Sequence, residues 1–433
     1  MTLFGTDGIR GRYGFFPLDD PTIRKIGVAI SESIDKKINK ILLAHDGRES
    51  CEDIYKNLIV GLCQNNVYKI IFLDLFPTPS LPLILSKNQN RDTIGVEITA
   101  SHNPYMDNGI KIFDGSGLKI SPLLQNQIEL SVSNQKNINN NIPIKLSHDP
   151  TIKKTYTNSI SDLLNKKNND SYKLNIAIDC ANGAMSHVIN DIQFPDNISI
   201  EIFNNQPNGK NINDECGAVY PEFLSRIISE NNAISTNRFF DFGISFDGDG
   251  DRTIIIDNKG KVLDGDDLLY LFSIYTQNNK KVVGTVMTNY GIRQNLINKG
   301  FEFIESDVGD KNVLNEILSR DAFLGSESSG HIIHTDIADI PIGDGFATMI
   351  KFIHLLYELD ESVDEFYPVS LKVPSSLINI DTRSPDEFIS KNHPIFTKVE
   401  KILQNNGRIF IRKSGTQPLV RILIENQSEE ILK

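Results

Sequence analysis

The sequence has few cysteines, and none of them lies in a metal-binding or redox motif. The four are Cys51, Cys63, Cys180 and Cys216, and no two have C-x-x-C spacing. This argues against a zinc ribbon and against a thioredoxin-type centre. No apolar run approaches the ~18–20 residues that a membrane-spanning helix needs. The first residues also lack the basic and apolar regions of a signal peptide. These absences predict a reduced, cytoplasmic protein.

Positive charge is also scarce. The chain has 44 Lys and Arg against 56 Asp and Glu, a net charge of −12. Such a chain repels nucleic acid and anionic membranes, so we expect neither as a partner. At ~100–200 residues per domain, its length predicts two to four domains. A hydrophobic fraction of 39% and a charged fraction of 23% are typical of a globular protein.

Short apolar runs alternate with amphipathic stretches along most of the chain. Each run leads into a polar, turn-forming segment, which is typical of a strand that ends in a loop. Alternating strands and helices favour α/β units, in which ligands collect at the carboxyl ends of the strands. The predicted strands cover 41–44, 69–75, 93–99, 174–178 and 242–246. Amphipathic helices are predicted over 22–38, 54–65 and 266–275.

The pattern also indicates how the domains are organised. Three βαβ-like segments of similar size follow one another and are candidates for copies of one fold. The stretch 131–149 is rich in Asn, Lys and Ser, and we interpret it as an inter-domain connection. The final segment, from residue 369, has strand-like runs at 410–411 and 419–424, which predict a small α+β domain.

Three aspartates at alternate positions form the clearest chemical motif. Asp247, Asp249 and Asp251 directly follow an apolar run, with glycines between them. In an extended loop their side chains point to one side, where three carboxylates repel each other unless a hard cation lies among them. Mg²⁺ takes such ligands, whereas an EF-hand would need Gly and Glu where Arg252 and Asn258 stand. The motif predicts a magnesium site, and a solvated acidic turn is the alternative.

A serine stands in a polar loop after another apolar run. Ser101 lies in the segment T-A-S-H-N-P, and D-N-G-I-K follows it. Asn, Pro and Gly favour a defined turn that exposes the serine. His102 and Lys111 are candidates for proton transfer or charge neutralisation. The segment has no G-x-S-x-G elbow, so a hydrolytic triad is not indicated. An ordinary Ser or Asx turn is the alternative.

Three further loops carry polar side chains. In G-S-E-S-S-G-H, residues 325–331, His331 stands where a P-loop needs lysine, so nucleotide binding is not indicated. Its glutamate, serines and histidine suit hydrogen bonds to sugar hydroxyls or an amine. R-K-S-G-T-Q-P, residues 412–418, has Arg421 nearby and suits a phosphate. A glycine-rich segment near the N-terminus holds Arg10. A plain surface loop is the alternative for each.

Together, and in this order, these motifs resemble those of the α-D-phosphohexomutase superfamily across essentially the whole chain. That family has a phosphoserine loop, a D-G-D-G-D-R metal loop, an E-x-S-G-H sugar loop and an R-x-S-G-T-x-P phosphate loop. Further stretches resemble the members that act on glucosamine phosphates. These are F-G-T-D-G-I-R-G-R at the start, D-C-A-N-G-A at 179–184, P-N-G-K-N-I-N at 207–213, V-G-D-K-N-V-L at 308–314 and G-D-G at 343–345.

The resemblance implies an α/β fold with four domains round a central cleft. Three would be similar α/β domains with mixed sheets, and the last a smaller α+β domain. It implies a phosphoserine domain over 1–138, a metal-binding domain over 150–257, a sugar-binding domain over 258–366 and a phosphate-binding domain over 367–433.

The resemblance also implies roles for the motif residues. Ser101 would be phosphorylated, as activity requires, and would hold one Mg²⁺ per subunit together with Asp247, Asp249 and Asp251. The transferring phosphoryl group would be surrounded by Arg10, His102 and Lys111. The substrate would be contacted by Arg252, Lys311, Glu327, Ser329, His331, Arg412, Ser414, Gly415, Thr416 and Arg421. Three residues depart from the usual pattern of the family: Lys311 replaces Arg, Ser328 replaces Asn or Gln, and Gln417 replaces Glu.

The implied activity interconverts glucosamine 6-phosphate and glucosamine 1-phosphate through a phosphoserine enzyme and a 1,6-bisphosphate. Such an isomerase would feed UDP-N-acetylglucosamine synthesis for peptidoglycan, as a monomer or homodimer. Either Lys111 or His102 would be the general base. The alternatives are a mutase for glucose or mannose phosphates, a non-catalytic sugar-phosphate-binding relative, and a phosphatase.

Overall fold

The computed structural model describes residues 3–5, 7–89, 91–135, 138–139, 142–234, 239–275, 280–359, 362–367, 371–403, 406–413 and 419–432. Their strands form four sheets in chain order. Three sheets mix parallel and antiparallel strands and carry helices, and the fourth is small and antiparallel. This arrangement confirms the predicted α/β fold with four domains. Among these residues no helix is both long and apolar enough to cross a membrane.

The first domain surrounds a seven-stranded sheet. Its strands are β1 (Phe4–Gly5), β2 (Gly8–Arg12), β3 (Lys40–His45), β4 (Lys69–Leu75), β5 (Thr93–Ile98), β6 (Asp107–Phe113) and β7 (Leu146–Ser147). Its helices are α1 (Asp20–Ser33), α2 (Cys51–Leu62), α3 (Ser80–Ser86) and α4 (Pro122–Asn134). The order across the sheet is β1-β2-β6-β5-β3-β4-β7. β6 runs antiparallel to β5, so the chain turns back at the end of β5 through the loop that holds Ser101.

The predicted connection over 131–149 has regular structure at both ends. α4 continues to Asn134, and β7 pairs in parallel with β4 at the edge of the first sheet. The connection is therefore shorter than its polar composition indicated, because polar residues also occupy the exposed last turn of α4.

The second domain has a five-stranded sheet. Its helices are α5 (Pro150–Asn165), α6 (Met185–Val188) and α7 (Glu222–Ile234). Its strands are β8 (Leu174–Asp179), β9 (Ile198–Phe203), β10 (Phe242–Phe246), β11 (Thr253–Asp257) and β12 (Val262–Leu263). They lie in the order β12-β11-β10-β8-β9. Every residue of β10 and β11 is buried, which explains why the strands on both sides of the aspartate motif are mostly apolar.

The third domain also has five strands, in the order β14-β13-β15-β16-β17. They are β13 (Lys281–Thr285), β14 (Glu302–Ser306), β15 (Leu324–Ser326), β16 (Ile332–His334) and β17 (Ile342–Gly343). The helices are α8 (Gly265–Ile274), α9 (Tyr290–Asn298), α10 (Asp310–Arg320), α11 (Gly345–Leu359) and α12 (Val363–Phe366).

The fourth domain is a three-stranded antiparallel sheet in the order β18-β20-β19, with one long helix. Its elements are β18 (Ser375–Asp381), α13 (Pro385–Leu403), β19 (Gly407–Lys413), β20 (Leu419–Asn426) and the short α14 (Glu429–Leu432).

One apolar core runs across the first three domains. Phe76 packs edge-on against Tyr156, with ring centroids 5.6 Å apart, and joins the first domain to the second. Phe246 stacks on Phe346 at the same centroid distance and joins the second domain to the third. Burial of these large rings fixes the three sheets relative to one another, and with them the loops at their strand ends.

Candidate active site

Three of the predicted loops leave the carboxyl ends of strands and meet at one cleft. β5 leads into the Ser101 loop, β10 ends directly before Asp247, and β15 ends directly before Glu327. The cleft has a volume of about 300 Å³. Its lining includes Arg10, Ser101, His102, Asp251, Arg252, Glu327 and His331. The structure thus brings together predicted residues from three domains.

Ser101 lies directly beside the aspartates of the second domain. Its hydroxyl is buried and donates a hydrogen bond to Asp247 Oδ2 at 2.7 Å. Its backbone has a φ of +53°, in the left-handed region that non-glycine residues seldom adopt. The serine oxygen is therefore presented to the acidic loop by an unusual, fixed backbone.

The three aspartates form a buried cluster that suits a divalent cation. One carboxylate oxygen of each of Asp247, Asp249 and Asp251 lies within 4.8 Å of the other two. Among the described residues, Oδ1 of Asp249 has no hydrogen-bond partner, and Oδ1 of Asp251 has only the His331 ring, 3.5 Å away. Buried carboxylate oxygens are costly unless something pairs with them, and oxygen donors are the ligands that Mg²⁺ prefers. These residues therefore fit a magnesium ion.

Lys111 supplies positive charge to the same cluster. Its ammonium lies 2.8 Å from Asp249 Oδ2, 2.9 Å from Asp251 Oδ2 and 3.2 Å from Asp7 Oδ2. Burial alone would lower the pKa of Lys111, but these carboxylates raise it well above its ordinary value. Burial, together with Asp249 and Asp251, raises the pKa of Asp247 to about 8.

Arg10, Arg252 and His102 form one wall of the cleft, and the two arginines give it positive charge. Arg10 pairs with Asp7, and its Nε has no hydrogen-bond partner within the described part of the chain. The same holds for Arg252 Nε and for His102 Nδ1. Burial and the nearby guanidinium groups lower the pKa of His102 to about 3. The unpartnered guanidinium donors suit a phosphate, whereas the neutral imidazole of His102 can accept a proton.

The third domain contributes the opposite wall. Glu327 Oε1 accepts a hydrogen bond from the Gly309 amide at 2.8 Å. His331 lies 3.5 Å from Asp251 Oδ1 and 3.9 Å from Asp310 Oδ2. Burial would lower the pKa of His331, but these carboxylates raise it to about 9. This histidine is thus an ion-paired cation at neutral pH.

Two residues predicted to contact the substrate are placed differently. Lys311 points its ammonium at the Ile120 carbonyl oxygen, 3.4 Å away, and does not line the cleft as the described residues form it. Ser329 is partly exposed on the turn after Glu327 and is likewise outside that lining. The structure brings neither side chain to the cleft.

The predicted phosphate loop is only partly described. Ser414, Gly415 and Thr416 lie outside the described residues. Arg412 on β19 and Arg421 on β20 are direct cross-strand neighbours, so the two guanidinium groups belong to one patch of the fourth domain. Neither lines the 300 Å³ cleft as the described residues enclose it.

Sequence reasoning missed four residues that complete the site. Thr78 donates to Asp249 Oδ2 at 2.6 Å. Asp7 pairs with Arg10, Lys111 and Lys119, and Lys119 also pairs with Asp310 of the third domain. Asp7 stands inside the N-terminal motif that holds Arg10, which was an available signal. Asp310 likewise stands inside the V-G-D-K-N-V-L stretch, whereas Thr78 and Lys119 lie in segments where no quoted motif marks them.

Four domain families of phosphoglucomutase/phosphomannomutase match the chain in order. The alpha/beta/alpha domains I, II and III match residues 1–139, 154–260 and 264–371. The C-terminal domain matches residues 377–433.

Curated relatives match over nearly their whole length. A phosphoglucosamine mutase of Thermodesulfovibrio yellowstonii is 34% identical over 452 residues, covering 100% of this chain and 97% of the relative. A phosphoglucosamine mutase of Idiomarina loihiensis is 32% identical over 439 residues, covering 99% of this chain and 95% of the relative.

Solved structures show the same fold. A phosphoglucomutase/phosphomannomutase family protein of Burkholderia thailandensis has a TM-score of 0.76 at 20% identity, covering 99% of this chain and 94% of that one. An N-acetylphosphoglucosamine mutase of Aspergillus fumigatus, solved with GlcNAc-6P and magnesium, has a TM-score of 0.61 at 17% identity, covering 99% and 93%. With four matched domains and relatives above 30% identity, the chain belongs to the phosphoglucomutase/phosphomannomutase family, within the α-D-phosphohexomutase superfamily.

Proposed function

We propose that this chain interconverts glucosamine 6-phosphate and glucosamine 1-phosphate. The observation that carries the proposal is the contact between the Ser101 hydroxyl and the aspartate cluster, 2.7 Å from Asp247, in a cleft that Arg10 and Arg252 also line. The names of the curated relatives favour the amino sugar. A glucose or mannose phosphate mutase of the same mechanism is the alternative.

The reaction requires a covalent carrier, because O1 and O6 lie on different parts of the sugar. Phosphorylated Ser101 would give its phosphoryl group to O1 of the 6-phosphate: the bond from phosphorus to Ser101 Oγ breaks, and a bond to O1 forms. The hydroxyl proton passes to a base. The 1,6-bisphosphate then turns over, and its 6-phosphoryl group returns to Ser101 Oγ while O6 takes a proton.

Asp247, Asp249 and Asp251 would hold Mg²⁺ beside the Ser101 oxygen. When bound, this ion would offset the negative charge that develops on the serine oxygen as it leaves. Lys111 and Arg10 would place further positive charge on the transferring group. Both approach the cluster from the first domain, and both pair with Asp7.

We assign the proton acceptor to His102 and charge neutralisation to Lys111. The Lys111 ammonium has three carboxylate oxygens within 3.2 Å, so its donors are all engaged. His102 Nδ1 has no hydrogen-bond partner among the described residues, and the side chain lines the cleft. This is the geometry of a group free to accept a proton from a substrate hydroxyl.

The remaining loops would hold the sugar and the other phosphate. Glu327 and His331 face the cleft from the third domain and suit the sugar hydroxyls and amine. Arg412 and Arg421, with the loop between them, would hold the phosphate that is not reacting. We therefore divide the chain, as proposed above, into phosphoserine, metal, sugar and phosphate domains. We place the enzyme in the cytoplasm.

The assay that tests this function uses three substrates in parallel. Purified enzyme, primed with a hexose 1,6-bisphosphate and Mg²⁺, is given glucosamine 6-phosphate, glucose 1-phosphate and mannose 1-phosphate. We expect the highest kcat/KM with the glucosamine phosphate. Isomerisation of glucose or mannose phosphate alone would support the alternative. Release of free phosphate without isomerisation would show a phosphatase, and no turnover of any substrate would contradict the mutase proposal.

A further inference from the structure

A fully buried arginine lies behind the Ser101 loop. The Arg48 side chain is 0% exposed. Its Nη2 donates to the Ser101 carbonyl oxygen at 2.8 Å, and its Nη1 donates to the carbonyl oxygens of Pro104 and Asp107, the latter at 3.0 Å. One guanidinium thus satisfies three backbone acceptors of a single loop. A guanidinium can do this because its five donors lie on three nitrogens in fixed directions, whereas the three donors of an ammonium all lie on one atom.

The same arginine is connected to the Ser101 amide. Arg48 Nε donates to Asp46 Oδ2 at 2.7 Å, and the Thr99 hydroxyl donates to that same oxygen at 2.6 Å. The Thr99 hydroxyl oxygen in turn accepts a hydrogen bond from the Ser101 amide at 2.8 Å. Both the amide and the carbonyl of Ser101 are therefore tied to one buried Asp46–Arg48 pair.

The second domain holds the same carbonyl from the other side. Asn213 Nδ2 donates to the Ser101 carbonyl oxygen at 2.9 Å. Its loop lies against the first domain, where the Glu49 amide donates to the Gly209 carbonyl oxygen at 2.9 Å. This loop is the P-N-G-K-N-I-N segment, which the proposed chemistry leaves without a role.

These contacts stabilise a backbone conformation of Ser101 that is unfavourable by itself. Ser101 has a φ of +53°, and a non-glycine residue keeps such a conformation only where its surroundings over-determine it. We propose that Arg48, assisted by Asn213, is a positioning residue that holds Ser101 in this conformation and so keeps its hydroxyl on Asp247. The proposal rests on the proposed function of Ser101. Neither residue lines the substrate cleft as the described residues form it.

The test combines turnover with hydrogen exchange in Arg48→Lys, which keeps the charge and removes the three-way fork. We expect kcat with glucosamine 6-phosphate to fall at least tenfold while KM stays within about twofold, because the substrate does not touch this residue. We also expect the backbone amides of residues 99–107 to exchange faster. Arg24→Lys is the matched control. Its Nε donates to Asn57 on the α1–α2 surface, and both readouts should match wild type.

Asn213→Gly is the second variant, in case Arg48→Lys does not fold. Glycine keeps the φ of +58° at this position and removes the amide that reaches the carbonyl oxygens of Ser101 and, at 3.4 Å, Asn103. We again expect kcat to fall, here at least threefold, and the backbone amides of residues 99–107 to exchange faster. In a folded variant, unchanged exchange of residues 99–107 or an unchanged kcat would overturn the proposal. If wild type turns over no hexose phosphate, the proposed function fails, and the exchange rates alone decide whether Arg48 positions Ser101.

Discussion

Arg412 and Arg421 face each other directly across the neighbouring strands β19 and β20. Like charges at such positions destabilise a sheet. The Nε of each lacks a hydrogen-bond partner among the described residues. Burial, together with the charge of Arg421, lowers the pKa of Arg412. An anion with more than one charge, bound between the two guanidinium groups, would offset their repulsion and accept their free hydrogen bonds.

Arg421→Gln should therefore separate binding from stability. The loss of a hydrogen bond to a charged group costs about 1.5–3 kcal/mol, so KM for both sugar phosphates should rise by roughly one to two orders of magnitude. The free enzyme should be as stable as wild type or slightly more, because the like-charge pair is gone. Steady-state kinetics and thermal unfolding measure the two effects. Arg383→Gln, an exposed change in the same domain, is the control. A wild-type KM for Arg421→Gln would show that this pair binds no phosphate.

Mg²⁺ should stabilise the wild-type protein through the aspartate cluster. A ligand at 100 times its Kd stabilises the state it binds by about 2.7 kcal/mol, so the melting temperature should rise with added Mg²⁺. Asp249→Asn should lose this rise together with turnover, because it removes one of the charges the ion needs. Asp162→Asn, on the exposed face of α5, should keep both. A full Mg²⁺-dependent rise in Asp249→Asn would contradict the metal assignment.

His102→Gln tests the proton acceptor. General base catalysis contributes about 10²–10⁴-fold, so kcat should fall within that range while KM changes little. The kcat of Lys111→Met should also fall, but through the loss of charge neutralisation. This variant leaves the carboxylates of Asp7, Asp249 and Asp251 without the ammonium that pairs with them. Small external bases such as imidazole distinguish the two roles. They should partly restore the turnover of His102→Gly and leave the turnover of Lys111→Met unchanged. The reverse pattern would assign the base to Lys111.

Asp344 should make the fold less stable as pH rises. Burial raises the pKa of this residue from 3.8 to about 6, although amides of Phe346 and Ala347 and the Tyr156 hydroxyl bond to it. The folded state therefore binds the proton more tightly than the unfolded state, and stability is lost between about pH 4 and pH 6. The loss is up to about 3 kcal/mol, from 1.36 kcal/mol per pKa unit.

Asp344→Asn should not show this loss, because the amide keeps an acceptor for the start of α11 and carries no charge. Thermal unfolding at pH 4.5 and pH 7 measures the difference between the two proteins. We expect the advantage of Asp344→Asn over wild type to grow with pH. An advantage that is the same at both values, or that shrinks, would show that Asp344 is ionised in the fold at pH 4.5.

Much of the site could be predicted because its motifs follow strands directly. β4 and β10 have the predicted bounds, and the loops of Ser101, Asp247 and Glu327 converge because the carboxyl ends of their strands meet. The helix predicted over 22–38 ends at Ser33, however. Beyond it, the Asp35 carboxylate accepts a hydrogen bond from the Lys37 amide at 3.0 Å. Such an Asx turn competes with the helix although the apolar spacing continues.

Long-range partners could not be predicted from any local pattern. Thr78 reaches Asp249 across 171 residues, and Asn213 reaches Ser101 across 112. Thr78 is a single polar residue in a segment whose composition also suits an ordinary turn, and the P-N-G-K-N-I-N stretch that holds Asn213 does not indicate which residue it contacts. For Lys311 the substrate contact stays a prediction, and its ammonium here donates to the Ile120 carbonyl oxygen of the first domain at 3.4 Å. Only packing of the domains decides such positions.

If Ser101 carries the phosphoryl group, intact mass spectrometry should detect that group on the protein. After incubation with a hexose 1,6-bisphosphate and Mg²⁺, wild type and the exposed-site control Ser384→Ala should each gain one phosphate, and peptide mapping of the wild type should place it on Ser101. Ser101→Ala should gain none and should lose mutase activity. A Ser101→Ala protein that turns over glucosamine 6-phosphate near the wild-type rate would contradict the account.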